Sequence, residues 1–204
     1  MRTWTRAVPA AVGALALAMV LTGCSDSGSG KRRGSSGSHS SNSGAGKSDE
    51  KTTYRLGETS PEQESSMQKS SDAKYTVTPT KVQMGTRADM DNSGLKKDDK
   101  DGPKIPVYVW STLTHKSGTP MELGNMDNDL VIKTNGGQRT RALIVLMGEA
   151  KWPNCPEPQS SKQLGPGQSE NICTAFLIPE GQKAAAVELT RGFTKKPLEW
   201  PVEN

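Results

Sequence analysis

The chain has 204 residues, of which only 32% are hydrophobic, and a mean hydropathy of −0.66. That composition excludes a bundle of membrane spans, and the apolar residues are concentrated in one stretch of ordinary domain length, which excludes a large multi-domain enzyme. Lysine and arginine number 26 against 22 acids, a formal charge of +4, and the loss of Arg2 and Arg6 with an export segment halves that excess. The only tight basic run is Lys31-Arg32-Arg33. A nucleic-acid surface needs a concentrated basic face, so nucleic acid is not an expected partner; the run suits anionic head groups or wall polymers.

In chain order, Arg2 and Arg6 precede an apolar run from Val8 to Leu21, followed by Leu21-Thr22-Gly23-Cys24. The run is too short for the roughly 30 Å hydrocarbon layer, which takes about 20 residues, and it has the form of a signal peptide. Leu21, Thr22, Gly23 and Cys24 resemble the bacterial lipobox. That resemblance implies a diacylglyceryl group on the Cys24 thiol, cleavage after Gly23, and a chain held on the outer face of the bacterial plasma membrane. With Cys24 lipidated, Cys155 and Cys173 remain of three cysteines, and export permits them to pair. No CxxC is present and the only histidines are His39 and His115, so a cysteine metal site is not expected.

Three segments follow from this reading: a signal peptide over 1–23, a lipidated N-terminus and disordered linker over 24–71, and one folded domain over 72–204. Between Ser25 and Lys51, Ala45 is the only aliphatic residue among serines and glycines. Such a composition cannot offset its ordering entropy, and as a random chain Ser25–Ser71 spans roughly 35–40 Å. Ser60-Pro61-Glu62-Gln63-Glu64 has the form of a helix start, but Met67 alone offers an apolar anchor, so any helix there is marginal.

From Asp72 the pattern is alternation. Tyr75–Thr78 with Val82 and Met84 predict a strand that Pro79 makes an edge or a bulge. Ile105, Val107, Val109 and Leu113 alternate with Tyr108, Trp110, Thr112 and Thr114 in a long strand ended by Lys116–Pro120. Leu130–Thr134, Asn135-Gly136-Gly137 and Gln138–Met147 predict a hairpin. A Pro/Gly-dense loop, Trp152–Gln168, precedes strands with inner faces at Ile172, Thr174, Phe176 and Ile178, then at Ala185, Val187 and Leu189. Leu198, Trp200 and Val202, alternating with Pro197 and Pro201, form a last strand that must be an edge. About seven short strands without a convincing helix predict an all-β antiparallel sandwich.

Val107–Leu113 running into a Gly/Pro turn, Leu164-Gly165-Pro166-Gly167-Gln168, and Thr174–Gly181 together resemble the immunoglobulin-like domain of unknown function in Gram-positive surface lipoproteins. The resemblance covers about Lys74–Val202, and where this chain has His115 the family pattern usually has Asn. It implies an immunoglobulin-like fold and a surface location, and no activity.

Candidate sites are few. Tyr108 and Trp110 lie on the strand face opposite Val107 and Val109, and with Trp152 they form a candidate binding surface for a surface protein or wall polymer, unless the Trp152–Gln168 loop covers them. Cys173 has the parity opposite to Phe176, so its bond to Cys155 pins that loop to the outer sheet face. Asp89-Met90-Asp91-Asn92-Ser93-Gly94 resembles the start of a calcium loop, but Lys100 stands where a bidentate Glu is required, and a solvated charged loop through Asp98, Asp99 and Asp101 is expected instead. Asn125–Asp129 reads as a turn. Met84, Met121, Met126 and Met147 with His115 make copper handling the alternative function, although methionines scattered along strands commonly fill cores. Ser66-Met67-Gln68-Lys69 has the Ser-x-x-Lys spacing of penicillin-interacting enzymes but no Ser-Asp-Asn or Lys-Thr-Gly partner, and no nucleophile motif lies near a histidine. No catalytic residue, metal or cofactor is expected. The reading is a lipid-anchored, non-enzymatic surface protein presenting a disulfide-stapled sandwich to an unidentified ligand.

Overall fold

The computed structural model describes residues 50–95, 102–145 and 150–203. Ten strands and two short α-helices follow in order: β1 Gln63–Glu64, β2 Lys74–Met84, α1 Arg87–Asn92, β3 Lys104–Ser117, β4 Met121–Glu122, α2 Leu123–Met126, β5 Leu130–Thr134, β6 Arg139–Arg141, β7 Gln163–Leu164, β8 Ser169–Pro179, β9 Ala184–Leu189 and β10 Leu198–Pro201. One sheet runs β1-β2-β3-β8 and a second runs β10-β9-β5-β6, with every strand pair antiparallel. The facing sides share one core. Val77, Val107, Ile132, Phe176, Leu189 and Trp200 are fully buried within it. This is the expected immunoglobulin-like antiparallel β-sandwich, and no helix among the described residues is long and apolar enough to cross a membrane.

The alternation places the strands well. Val107, Val109 and Leu113 pack inward from β3, and Ile172, Phe176 and Ile178 from β8. Pro79 cannot donate a ladder hydrogen bond, and the β2–β3 register slips between Pro79 and Lys81. The β5–β6 hairpin turns on Gly137 (φ +80°), whose N–H donates to Thr134 O. At Gly118 (φ +88°) the chain passes so close to its neighbour that a Cβ would lie 2.5 Å from the Asp72 carbonyl oxygen. In β9 the register shifts beside Thr134, so Ala184 enters the core and Ala185 stays half-buried, a correction to the expected inner position of Ala185.

Three further expectations are corrected. β6 ends at Arg141, short of Met147; Ala142 then crosses to the other sheet and bridges Phe176, while the Leu143 N–H donates to Ala175 O. The Trp152–Gln168 loop contains β7, which pairs with β4 at Met121↔Leu164. The linker boundary moves most. Residues 50–71, placed in the linker above, pack on the sandwich and run from the β10 edge to the β2 edge. Tyr54 N–H donates to Glu199 O and Glu199 N–H to Thr52 O; further on, Gly57 and Ser60 donate to Pro79 O and Val77 O. The Ser60 hydroxyl accepts from Val77 N–H, and the Trp200 indole N–H donates to Glu58 O. Tyr54 stacks beside Trp200 with ring centroids 5.5 Å apart. Ser60 is therefore a strand partner and not a helix cap. Residues 1–49, with the expected signal peptide, the lipobox at Leu21, Thr22 and Gly23, and Cys24, lie outside the described residues.

Candidate functional site

The outer face of the β2-β3-β8 sheet carries a second, smaller core. Tyr108 projects from β3, and Cys173, Ala175 and Leu177 from β8, as their parity requires. Trp152, Cys155 and Met90 cover them. Cys155 and Cys173 are joined in a disulfide that pins the Trp152–Pro156 segment to this face. Tyr108 meets Trp152 edge-on at 5.8 Å and Trp110 at 6.3 Å.

This arrangement corrects the candidate binding surface. Tyr108 is buried beneath the loop, and Trp152 is buried as part of that cover. Trp110 remains half-buried, with Lys81 Nζ 4.4 Å from its ring centroid, at the edge of a shallow cavity of about 510 Å³ that Pro156 and Asn171 also line.

The calcium-like segment is a helix. Thr86 Oγ1 accepts from Asp89 N–H, and the Asp89 carboxylate accepts from Thr86 N–H at 2.7 Å, a reciprocal cap that occupies the first carboxylate. Met90 turns into the second core. Residues 96–101, with Asp98, Asp99 and Asp101, lie outside the described residues. Among the described residues no group of three or more His, Cys, Asp and Glu side chains is placed to hold a metal ion. Of the copper set, His115 is fully buried with Nε2 3.0 Å from Thr119 O, Met121 and Met126 fill the main core, and Met84 packs against it; Met147 lies outside the described residues. Ser66–Lys69 lies at the short 3-10 turn Gln68–Ser70, with no partner motif in the sequence.

The sequence did not single out the cleft on the other side of the disulfide. A cavity of about 490 Å³ opens between α2, the segment after β6 and the 155–161 loop, lined among others by Asn125, Asp127, Asn128, Trp152, Ser160 and Thr174. Ile144, on its rim, is exposed. α2 turns the chain so that Asp127 lies against β8, where its carboxylate accepts from the Thr174 hydroxyl at 3.1 Å. Asp127 is only 9% exposed. Burial pushes its carboxyl up to about 6, with the Thr174 hydrogen bond pulling the other way. The Tyr75 phenol is also raised, first by burial and then by the carboxylates of Asp129 and Asp127. Nothing in the run Asn125–Asp129 distinguishes Asp127 from Asp129; only its seat against β8 does.

A measurable consequence follows. Between about pH 4 and 6 the folded chain holds an Asp127 proton that the unfolded chain has released, so stability falls as pH rises through that window, by at most about 3 kcal/mol. Asp127→Asn keeps an acceptor for Thr174 and removes the charge. Its melting temperature is expected to exceed the parent's by about 2–6 °C at pH 7.5 and to match it at pH 3.5. Equal or lower melting at pH 7.5 would contradict a buried, raised carboxyl.

Comparison with known families and curated sequences found no matching family model and no matching curated protein. Among solved structures, the chain is similar to the 1.5 Å crystal structure of MPT63, a secreted protein from Mycobacterium tuberculosis. The TM-score is 0.48 at 13% identity, covering 76% of this chain and all of that one.

Proposed function

We propose that this chain is an exported lipoprotein, held on the outer face of the bacterial plasma membrane by a diacylglyceryl group on Cys24, and that its sandwich is a non-catalytic binding module with the Asp127 cleft as its ligand site. The observation that carries the anchor is the use of cysteines. Cys155 and Cys173 are bonded to each other, and the third cysteine directly follows Leu21-Thr22-Gly23. Two acyl chains, at about 0.8 kcal/mol per buried CH₂, suffice for stable attachment. The cleft supports the binding role through its amide and hydroxyl groups beside Trp152 and Ile144, a lining for a polar ligand with one apolar face, such as a wall polymer or a surface peptide presents.

Fractionation of cells producing the full chain tests the anchor. The parent is expected in the membrane fraction with its N-terminal peptide heavier by the lipid. Cys24→Ala is expected in the medium, or uncleaved with its signal peptide. A Cys24→Ala chain that stays membrane-bound at the mature mass would end this reading.

A further inference from the structure

We propose that the β9–β10 connection is a second membrane contact, in which Phe193, Lys195 and Lys196 dock on anionic lipid head groups beside the point where the chain enters the fold. Phe193 is fully exposed, one of only two phenylalanines in the sequence, while the other, Phe176, is fully buried in the core. Every residue from Gly192 to Lys196 is exposed, and Gly192 (φ +67°) makes the turn that presents Phe193. Burying such an exposed ring against an apolar phase is favourable in proportion to the area removed from water.

The tip is held in shape from beneath. Arg191 is itself largely buried; its Nε and Nη2 donate to Lys196 O at 2.9 and 2.7 Å, closing the loop, and its Nη1 donates to Glu50 Oε1 at 2.5 Å. Arg191 pairs with Glu50, whose carboxylate also feels the charge of Lys195, and the exposed Lys195 and Lys196 follow Phe193 closely in the same turn. An aromatic ring flanked by lysines matches the boundary between anionic head groups and acyl chains.

The Glu50–Arg191 bond also places the first described residue beside the tip. Less chain separates Cys24 from Glu50 than from any other described residue, so the tether attaches at the corner of the fold that bears Phe193. An acyl group on Cys24 therefore keeps this corner near the bilayer at high effective concentration, and a weak contact suffices to orient the sandwich. The orientation rests on the anchor proposed above; the affinity of the tip for lipid does not.

The test uses the mature chain from residue 24 carrying Cys24→Ala, so that no acyl group contributes, with Thr194→Cys labelled by an environment-sensitive fluorophore. On phosphatidylglycerol vesicles at low ionic strength the label is expected to shift to the blue and to be quenched by lipid-borne quenchers, and to do neither on phosphatidylcholine. Phe193→Ser is expected to weaken vesicle binding about fivefold. Lys195→Glu with Lys196→Glu is expected to weaken it at least about 25-fold, from roughly fivefold per lysine. All these positions are exposed, so unchanged melting temperatures exclude misfolding. Lys31-Arg32-Arg33 is common to every chain compared and cancels. A label that stays aqueous on anionic vesicles, or binding indifferent to both variants, overturns the proposal, as does capture at this site of a protein in place of lipid. If the tip binds lipid while Cys24 proves unacylated, only the anchor reading fails; if Cys24 is acylated and the label stays aqueous, only this one does.

Discussion

A chain beginning at Asp72 is expected to lose about 5 kcal/mol or more of stability relative to one beginning at Glu50, and to aggregate on concentration. Residues 50–71 contribute few apolar side chains, but they cap both edges of the open side of the sandwich. Without them, Glu199 N–H and Val77 N–H and the carbonyls of Glu199, Val77 and Pro79 lose their partners. Each lost hydrogen bond costs about 1 kcal/mol net, and water replaces the partner where it gains access. Trp200 loses Tyr54 from its ring and Glu58 O from its indole N–H, exposing the largest fully buried side chain to solvent. The uncovered edges of β2 and β10 are templates for pairing with another chain. Against a total stability of about 5–15 kcal/mol such a loss is decisive. Thermal melts of the two chains check it: midpoints within about 3 °C of each other would show that the segment adds nothing. The chain beginning at Glu50 is expected to melt like the mature protein.

The second large effect concerns the disulfide. Cys155→Ser with Cys173→Ser opens a loop of 18 residues. Chain-entropy reasoning puts the loss at about 3 kcal/mol, or about 6–12 °C in melting temperature. The main core lies on the opposite side of the sheet from both cysteines, so the far-ultraviolet circular dichroism of the strands is expected to persist. The change concentrates in the second cluster, where release of the Trp152–Pro156 segment uncovers Tyr108 and Trp152. Tryptophan emission should then shift to the red in the folded variant. A variant with unshifted emission and a melting point within about 2 °C of the parent would show that packing alone holds the loop. The Asp127 cleft shares Trp152, Cys155 and Cys173 with this cluster, so its shape is expected to depend on the same bond.

Much of the sandwich was legible because strand residues declare their face every second position. Val107 and Val109 against Tyr108 and Trp110, or Cys173 against Phe176, sort correctly from parity alone. Cysteine number and compartment likewise point to the Cys155–Cys173 pair. Parity does not say whether a face is wet, however. Tyr108 and Trp152 look like an exposed aromatic surface until α1 and the disulfide loop are seen to cover them, and that cover comes from residues distant along the chain. The segment 50–71 was missed for a related reason. It is held by backbone hydrogen bonds to two sheet edges, and backbone groups are the same in every sequence, so a stretch with only Tyr54 and Leu56 as apolar anchors shows no period to read. The pairing of β4 with β7 is two residues long and leaves no pattern within a Pro/Gly loop. What residue order determined by itself is the seven main strands, most of their inward faces and the pairing of Cys155 with Cys173. Tertiary structure alone decided which edges are closed, which aromatics are dry, and that Asp127 rather than Asp129 lies buried against Thr174, because each depends on which distant segment occupies the space beside it.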